Sequence, residues 1–182
     1  MILVKLRWIR NMSKLSFKNF GKLAETSYNY LNIASRNNLM IESEKNIIPD
    51  IICKLDLQPP DRVLDIGCGA GNLLIPLSLF VKEITGVDHS SCIKRLRSRI
   101  RDRKNISLIS GNFLDINVDN SYEKILCYSV LHYLSDEKEV FTFIEKALRL
   151  LGPGGKTLFA DIPNISKKER FLKSNYGKKI DK

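Results

Sequence analysis

Two acids and three glycines carry the chemistry that is easiest to read in this chain. Asp65 lies within the apolar run Val63-Leu64-Asp65-Ile66, and Asp88 ends the run Ile84-Thr85-Gly86-Val87-Asp88. Between them comes Gly67-Cys68-Gly69-Ala70-Gly71-Asn72. Glycines at alternate positions permit positive φ and leave no Cβ in the path of a ligand. The dinucleotide spacing Gly-x-Gly-x-x-Gly would need a glycine or alanine where Asn72 stands. An acid two residues before the first glycine repels a pyrophosphate but can hold an ammonium group. The run Leu73-Leu74-Ile75-Pro76-Leu77 reads as the start of a helix, whose unpaired N–H groups suit a carboxylate or phosphate. The plain alternative is a glycine-rich turn that binds nothing.

The elements that must position these residues alternate regularly. Val63 to Ile66 is a short buried strand, and a helix over 72–80 follows the glycines. A second strand, Glu83 to Asp88, leads into a basic helix over 90–103 with Ile93, Leu96 and Ile100 on its buried face. A third strand covers Ile106 to Ile109, a fourth Tyr122 to Tyr128 and a fifth Lys156 to Asp161. Gly111-Asn112-Phe113-Leu114-Asp115 and Leu151-Gly152-Pro153-Gly154-Gly155 read as turns, and 136–150 as a helix. Strand–helix alternation predicts an α/β fold, a doubly wound and mainly parallel sheet with helices on both faces. Ligands of such sheets bind beyond the carboxyl ends of the strands, where strand order reverses.

The glycine motif, Val87-Asp88, Gly111-Asn112-Phe113, Tyr128-Ser129-Val130-Leu131-His132-Tyr133-Leu134 and Leu151-Gly152-Pro153-Gly154-Gly155 occur together over residues 61–161. In this order and spacing they resemble class I S-adenosylmethionine-dependent methyltransferases of small molecules. The resemblance implies a Rossmann-like methyltransferase fold with S-adenosylmethionine as cofactor. It implies that Asp65, Gly67, Gly69 and Gly71, with the backbone of Cys68, surround the methionine part, which has an ammonium and a carboxylate. Asp88 would bind the ribose, His89 would border the adenine or face solvent, and Asn112 with Phe113 would hold the adenine. Tyr128 and Ser129 follow the fourth strand at the same site. Many relatives have Asp where Asn112 sits, and Asn can still accept from and donate to an adenine edge.

Each residue also has a structural reading. Asp88 could cap the next helix, Asn112 could make an Asx turn, and His132 could pack or bond locally rather than act as a base. Asp161 could face the acceptor or cap the following helix. No metal-ligand cluster or catalytic triad is visible, and no metal is expected. The four cysteines are widely spaced with no CxxC pair, which suits a reduced, cytoplasmic protein.

The chain is divided as an N-terminal helical lid (1–56), an α/β cofactor-binding core (57–165) and a basic tail (166–182). Ser43 is read as the cap of a helix through Ile47, Ile51 and Leu55. The first ten residues, Met1 to Arg10, are an apolar run interrupted by charges and too short to span a bilayer. They read as a weak interfacial helix or as sequence upstream of a start at Met12. The net charge of +10 gathers in 1–22, 94–104 and the tail. Nucleic acid stays open as a partner, but no aromatics interleave the basic residues, so a solvated surface is favoured. The expected function is methyl transfer to a small-molecule acceptor. The alternatives are an RNA methyltransferase or a non-catalytic S-adenosylmethionine-binding protein. Relatives of this type follow the fifth strand with an antiparallel strand pair that is not visible here. The exposed edge is expected to mean either that the chain is a fragment of a longer protein or that a partner or the N-terminal segment shields it, and self-association as a homodimer and weak turnover of this chain are expected.

Overall fold

The computed structural model describes residues 22, 24–25, 46–100, 102–118 and 121–174. Strands β1 (Arg62–Ile66), β2 (Glu83–Asp88), β3 (Ile106–Ser110), β4 (Tyr122–Tyr128) and β5 (Leu151–Ala160) form one sheet. Their order is β3-β2-β1-β4-β5 and every pairing is parallel. The chain runs outward from β1 through β2 to β3, then returns to the other side of β1 for β4 and β5. Strand order therefore reverses between β1 and β4, which sets the ligand crevice at the carboxyl ends of those strands.

Side-chain alternation divides the strands between two cores. Val63, Ile84 and Leu126 face one side with Ile51 and Leu55 of α1 (Ile47–Leu55), Leu74 and Leu77 of α2 (Leu74–Leu77), and Ile93 and Leu96 of α3 (Ser90–Arg97). Leu64, Ile66, Val87 and Ile125 face the other, under Phe143 and Ala147 of α4 (Glu137–Arg149). The expected doubly wound α/β sheet is the observed one. No helix among the described residues is long and apolar enough to cross a membrane.

Three local expectations change. The helix expected over 72–80 is the single turn α2, because beyond Ser78 the N–H groups of Leu79 and Phe80 bond three residues back, to the carbonyls of Pro76 and Leu77, and the ladder closes as a turn. The helix expected over 90–103 ends at Arg97, with Ser98 as its C-cap. Residues 151–155 are not a free turn but the start of β5. There Tyr122 pairs with Leu151 and Lys124 with Lys156, so the glycine-rich stretch is absorbed as an irregularity in the ladder. After β5 comes a short helix, α5 (Lys168–Lys173). Ser43 and the stretch 14–40, apart from residues 22, 24 and 25, lie outside the described residues, as do 175–182 of the basic tail.

Candidate functional site

The glycine turn is tied to the end of β2. The N–H groups of Gly67 and Cys68 both donate to the Val87 carbonyl, at 2.8 and 3.2 Å. Gly67, Gly69 and Gly71 have φ of 79°, 55° and 83°. Their reasons for being glycine differ. A Cβ at Gly67 would lie 2.3 Å from Val130 Cγ2, and one at Gly71 would lie 2.3 Å from Leu96 Cδ1. Those two glycines let the turn pack. A Cβ at Gly69 would meet nothing within 4 Å among the described residues, so among them the turn's middle is open. Gly86 in β2, which the sequence offered only as part of an apolar run, makes room beneath the turn. The Cys68 sulfur lies 2.8 Å from where a Gly86 Cβ would stand. The Cys68 side chain is thus buried in the core, and burial pushes its thiol well up.

Two acids meet under this turn. Asp65 is 2% exposed, and its Oδ2 has no hydrogen-bond partner among the described residues. Burial first, and the nearby Asp88 charge second, push its carboxyl up to about 7. Asp88 accepts from the Gly69 N–H at 2.7 Å and from the His89 N–H at 2.6 Å. Burial raises its carboxyl as well, against the pull of those two N–H groups. A buried carboxylate with an unsatisfied oxygen and no cation of its own among the described residues fits an ammonium donor. By contrast, a one-turn α2 carries little macrodipole, so it does not make the anion site that its sequence suggested.

The remaining expected site residues line the same carboxyl edge, with roles the structure divides. The His89 ring caps α3, Nδ1 accepting from the Ser91 N–H at 3.2 Å. Asn112 makes an Asx turn: its Oδ1 accepts from the Leu114 N–H at 3.2 Å and its Nδ2 donates to Asp115 at 3.1 Å. Its side chain is therefore fixed in orientation, with a second lone pair and a second amide hydrogen left to offer. Phe113 turns into the core, where its ring meets Phe143 edge-on with centroids 4.9 Å apart. Tyr128 packs on the α1 side of the sheet. Ser129, with φ of 60°, donates its hydroxyl to the Asp161 carboxylate at the end of β5.

Other groups reach the site without a clear sequence signal. Arg99, beyond the end of α3, donates to the Ala70 carbonyl and, at 2.8 Å, to Asn72 Oδ1. Only the three-dimensional reversal of the chain brings it to the glycine turn. Ala24 packs against Ala70 and Cys92, and Glu25 accepts from Ser91 Oγ at 2.6 Å. Lys146 of α4 donates to the carbonyls of Leu114 and Ile116, with its Nζ 5.2 Å from the centre of the Phe113 ring. No group of residues that could hold a metal ion occurs among the described residues.

A parallel sheet that reverses at β1, with an acid-flanked glycine turn at that point and a second acid ending β2, defines a nucleoside-ligand site of the methyltransferase type. The chain belongs to the methyltransferase-domain family, whose model matches residues 63–155 and whose cofactor is S-adenosylmethionine. It is 36% identical over 103 residues to an uncharacterized methyltransferase of Bacillus mycoides strain KBAB4. That match covers 55% of this chain and 46% of the relative, so the chain spans about half the relative's length. Its fold is similar to that of the N-methyltransferase NodS from Bradyrhizobium japonicum WM9, solved with S-adenosylhomocysteine. The TM-score is 0.66 at 22% identity, covering 78% of this chain and 70% of that one. It is also similar to phosphoethanolamine N-methyltransferase 1 of Haemonchus contortus. There the TM-score is 0.65 at 21% identity, over 90% of this chain and 40% of that one.

Proposed function

We propose that this chain binds S-adenosylmethionine at the carboxyl edge of its sheet and transfers the methyl group to a small-molecule acceptor. The observation that carries the reading is Asp65, a buried carboxylate whose Oδ2 lacks a partner among the described residues, in a site whose Gly69 is open among those residues. Asp65 would take the cofactor's ammonium group and Asp88 its ribose hydroxyls. Asn112, held by its Asx turn, and the Phe113 backbone would meet the adenine. The cofactor supplies a methyl group activated by positive charge on sulfur. What the protein adds is alignment and exclusion of water. Ala24, packed against Ala70 of the glycine turn, and Glu25, bonded to Ser91 of α3, support a covering role for the N-terminal segment and thus an acceptor small enough to be enclosed. Arg99 is bonded to the turn rather than left for a polyanion, which weighs against RNA.

Calorimetry with S-adenosylhomocysteine, S-adenosylmethionine and NAD tests the cofactor. Transfer of labelled methyl to small molecules and to RNA tests the acceptor. Tight NAD binding with none of the sulfur nucleosides would overturn the reading. Labelled RNA, lost steeply with salt, would replace the acceptor class.

A further inference from the structure

The sheet ends on β5, whose outer edge pairs with no strand among the described residues. The regular part of that edge is 156–160, paired with 124–128 of β4; the glycine-rich irregularity precedes it. The Ala160 carbonyl accepts from the Ser129 N–H on the β4 side, at 3.0 Å. Backbone groups alternate in direction along a strand. Leu158 therefore also turns its N–H and C=O to β4, and Thr157 and Phe159 turn theirs to the open edge. Helix α4 adds an apolar flank above this edge. Phe143 and Ala147 point into the core that includes Ile125, Cys127 and Phe159, and Lys146 reaches the Leu114 and Ile116 carbonyls in the segment after β3. Ile144, Leu148 and Phe141 lie roughly 160–220° around the helix from Lys146, on the side away from β3. There Phe141 is 57% and Leu148 46% exposed.

We infer that this edge is the interface of a twofold-symmetric homodimer, in which β5 pairs antiparallel with β5 of a second copy about Leu158. In that register Thr157 exchanges both backbone bonds with the partner's Phe159, and Phe159 does the same with the partner's Thr157. Spacing selects a second copy of this chain as the occupant. The crossover helix α4 lies over the β4–β5 pair, so the axis sets its mate two strand spacings away, about 9.6 Å. Helices pack at roughly 8–10 Å, so the two Phe141–Leu148 flanks close on each other. Charge selects it too. Residues 157–160 are uncharged, and Lys156 is held by Asp56 at 3.0 Å and falls opposite the partner's Ala160, not another lysine. The basic segments 1–22 and 167–182 find no acid along 156–160 to meet. Antiparallel pairing turns the two carboxyl edges, with the proposed cofactor sites, to opposite ends of one continuous sheet.

Sedimentation of the full chain at micromolar concentration should give twice 20.8 kDa. Thr157→Pro removes an N–H that points away from β4, so the sheet keeps its ladder while the edge loses a donor. Phe141→Lys places a cation on an exposed flank that faces its own copy. Each should raise the dimer dissociation constant roughly tenfold or more, with a native far-ultraviolet spectrum. Cys53 is the exposed cysteine among the four, so cross-linking is read in a Cys53→Ser background. There Leu158→Cys should give a disulfide-linked dimer under mild oxidation, because the axis passes between the two copies of this residue. Ala160→Cys should not, since its two copies lie about 14 Å apart. A monomer overturns the inference. Slow amide exchange at Thr157 and Phe159 in that monomer would mean that another segment of the chain covers the edge, and fast exchange that nothing does. A dimer that Thr157→Pro and Phe141→Lys both leave at wild-type strength, or that Ala160→Cys links and Leu158→Cys does not, overturns it as well.

Discussion

Asp88 and Gly69 are joined across the mouth of the glycine turn, the Gly69 N–H donating to Asp88 Oδ2 at 2.7 Å. One carboxylate thus shapes the turn and faces the proposed ribose position. Asp88→Ala deletes the acceptor for Gly69 and His89 together with the ribose contacts. Hydrogen bonds to a charged group are worth roughly 1.5–3 kcal/mol, so affinity for S-adenosylhomocysteine should fall roughly 10- to 150-fold. The melting temperature should also drop, because the Gly69 N–H loses its partner. Asp88→Asn keeps an oxygen for Gly69 and should melt higher than Asp88→Ala while binding as poorly. Calorimetric affinity equal to wild type in Asp88→Ala would take Asp88 out of the site.

Asp65 links pH to both stability and binding. Its carboxyl sits at about 7 in the fold against an ordinary 3.8. The folded state therefore holds this proton more tightly than the unfolded chain does. Its contribution to stability is fully present below pH ~4 and is lost as pH rises through 7, by at most about 4 kcal/mol. Asp65→Asn should consequently melt higher than wild type at pH 8, with the gain vanishing near pH 4. Binding runs the other way, because an ammonium needs the carboxylate. Wild-type affinity for S-adenosylhomocysteine should rise from pH 5.5 to 8 with proton release, read by calorimetry in buffers of different ionisation enthalpy. Asp88, also raised, adds to the same linkage, so Asp65→Asn should shrink the proton release without abolishing it. Unaltered proton release in Asp65→Asn would place the ammonium elsewhere.

Strand–helix alternation and the glycine spacing were enough to read the sheet, because apolar runs and glycines act locally. The Leu151–Gly155 stretch misled for a physical reason. Its glycines and proline look like a turn, but pairing with β4 at Tyr122 and again at Lys124 holds the stretch in β5. The site was legible as positions along the chain and less so as side chains. Phe113 follows the third strand as expected, yet its ring is drawn into the core by Phe143. Arg99 and Glu25 reach the site by contacts across 29 and 66 residues of sequence, which no local pattern encodes.

The three glycines of the turn should respond differently to a side chain. Gly71→Val must displace Leu96, already fully buried, and Gly67→Val must displace Val130. Both should cost several degrees of melting temperature or prevent folding. Gly69→Val meets open space. It bears only the backbone penalty of a branched residue at positive φ, roughly 1–2 kcal/mol, yet it fills the room the ligand needs. S-adenosylhomocysteine binding should be lost while the far-ultraviolet spectrum stays native. A Gly69→Val chain that binds like wild type would mean that the ligand does not approach the turn from this side.

Lys146 offers a test of the adenine position that touches none of its proposed contacts. Its ammonium holds the carbonyls of Leu114 and Ile116 and lies over the Phe113 ring. Those residues continue the loop in which Asn112 is oriented. Lys146→Met keeps the apolar stem and deletes the charge. The two carbonyls lose a charged donor but can turn to water, so the cost should be about 1–3 kcal/mol. At this chain length that corresponds to a fall of roughly 2–12 °C in melting temperature. If the loop meets adenine, affinity for S-adenosylhomocysteine should fall with it, several-fold, while Lys146→Arg restores much of both. Adenosine alone should show the same ratio between variants, because the loss lies on the nucleoside side. A chain that melts lower yet binds both ligands as wild type does would detach Asn112 and its loop from the adenine.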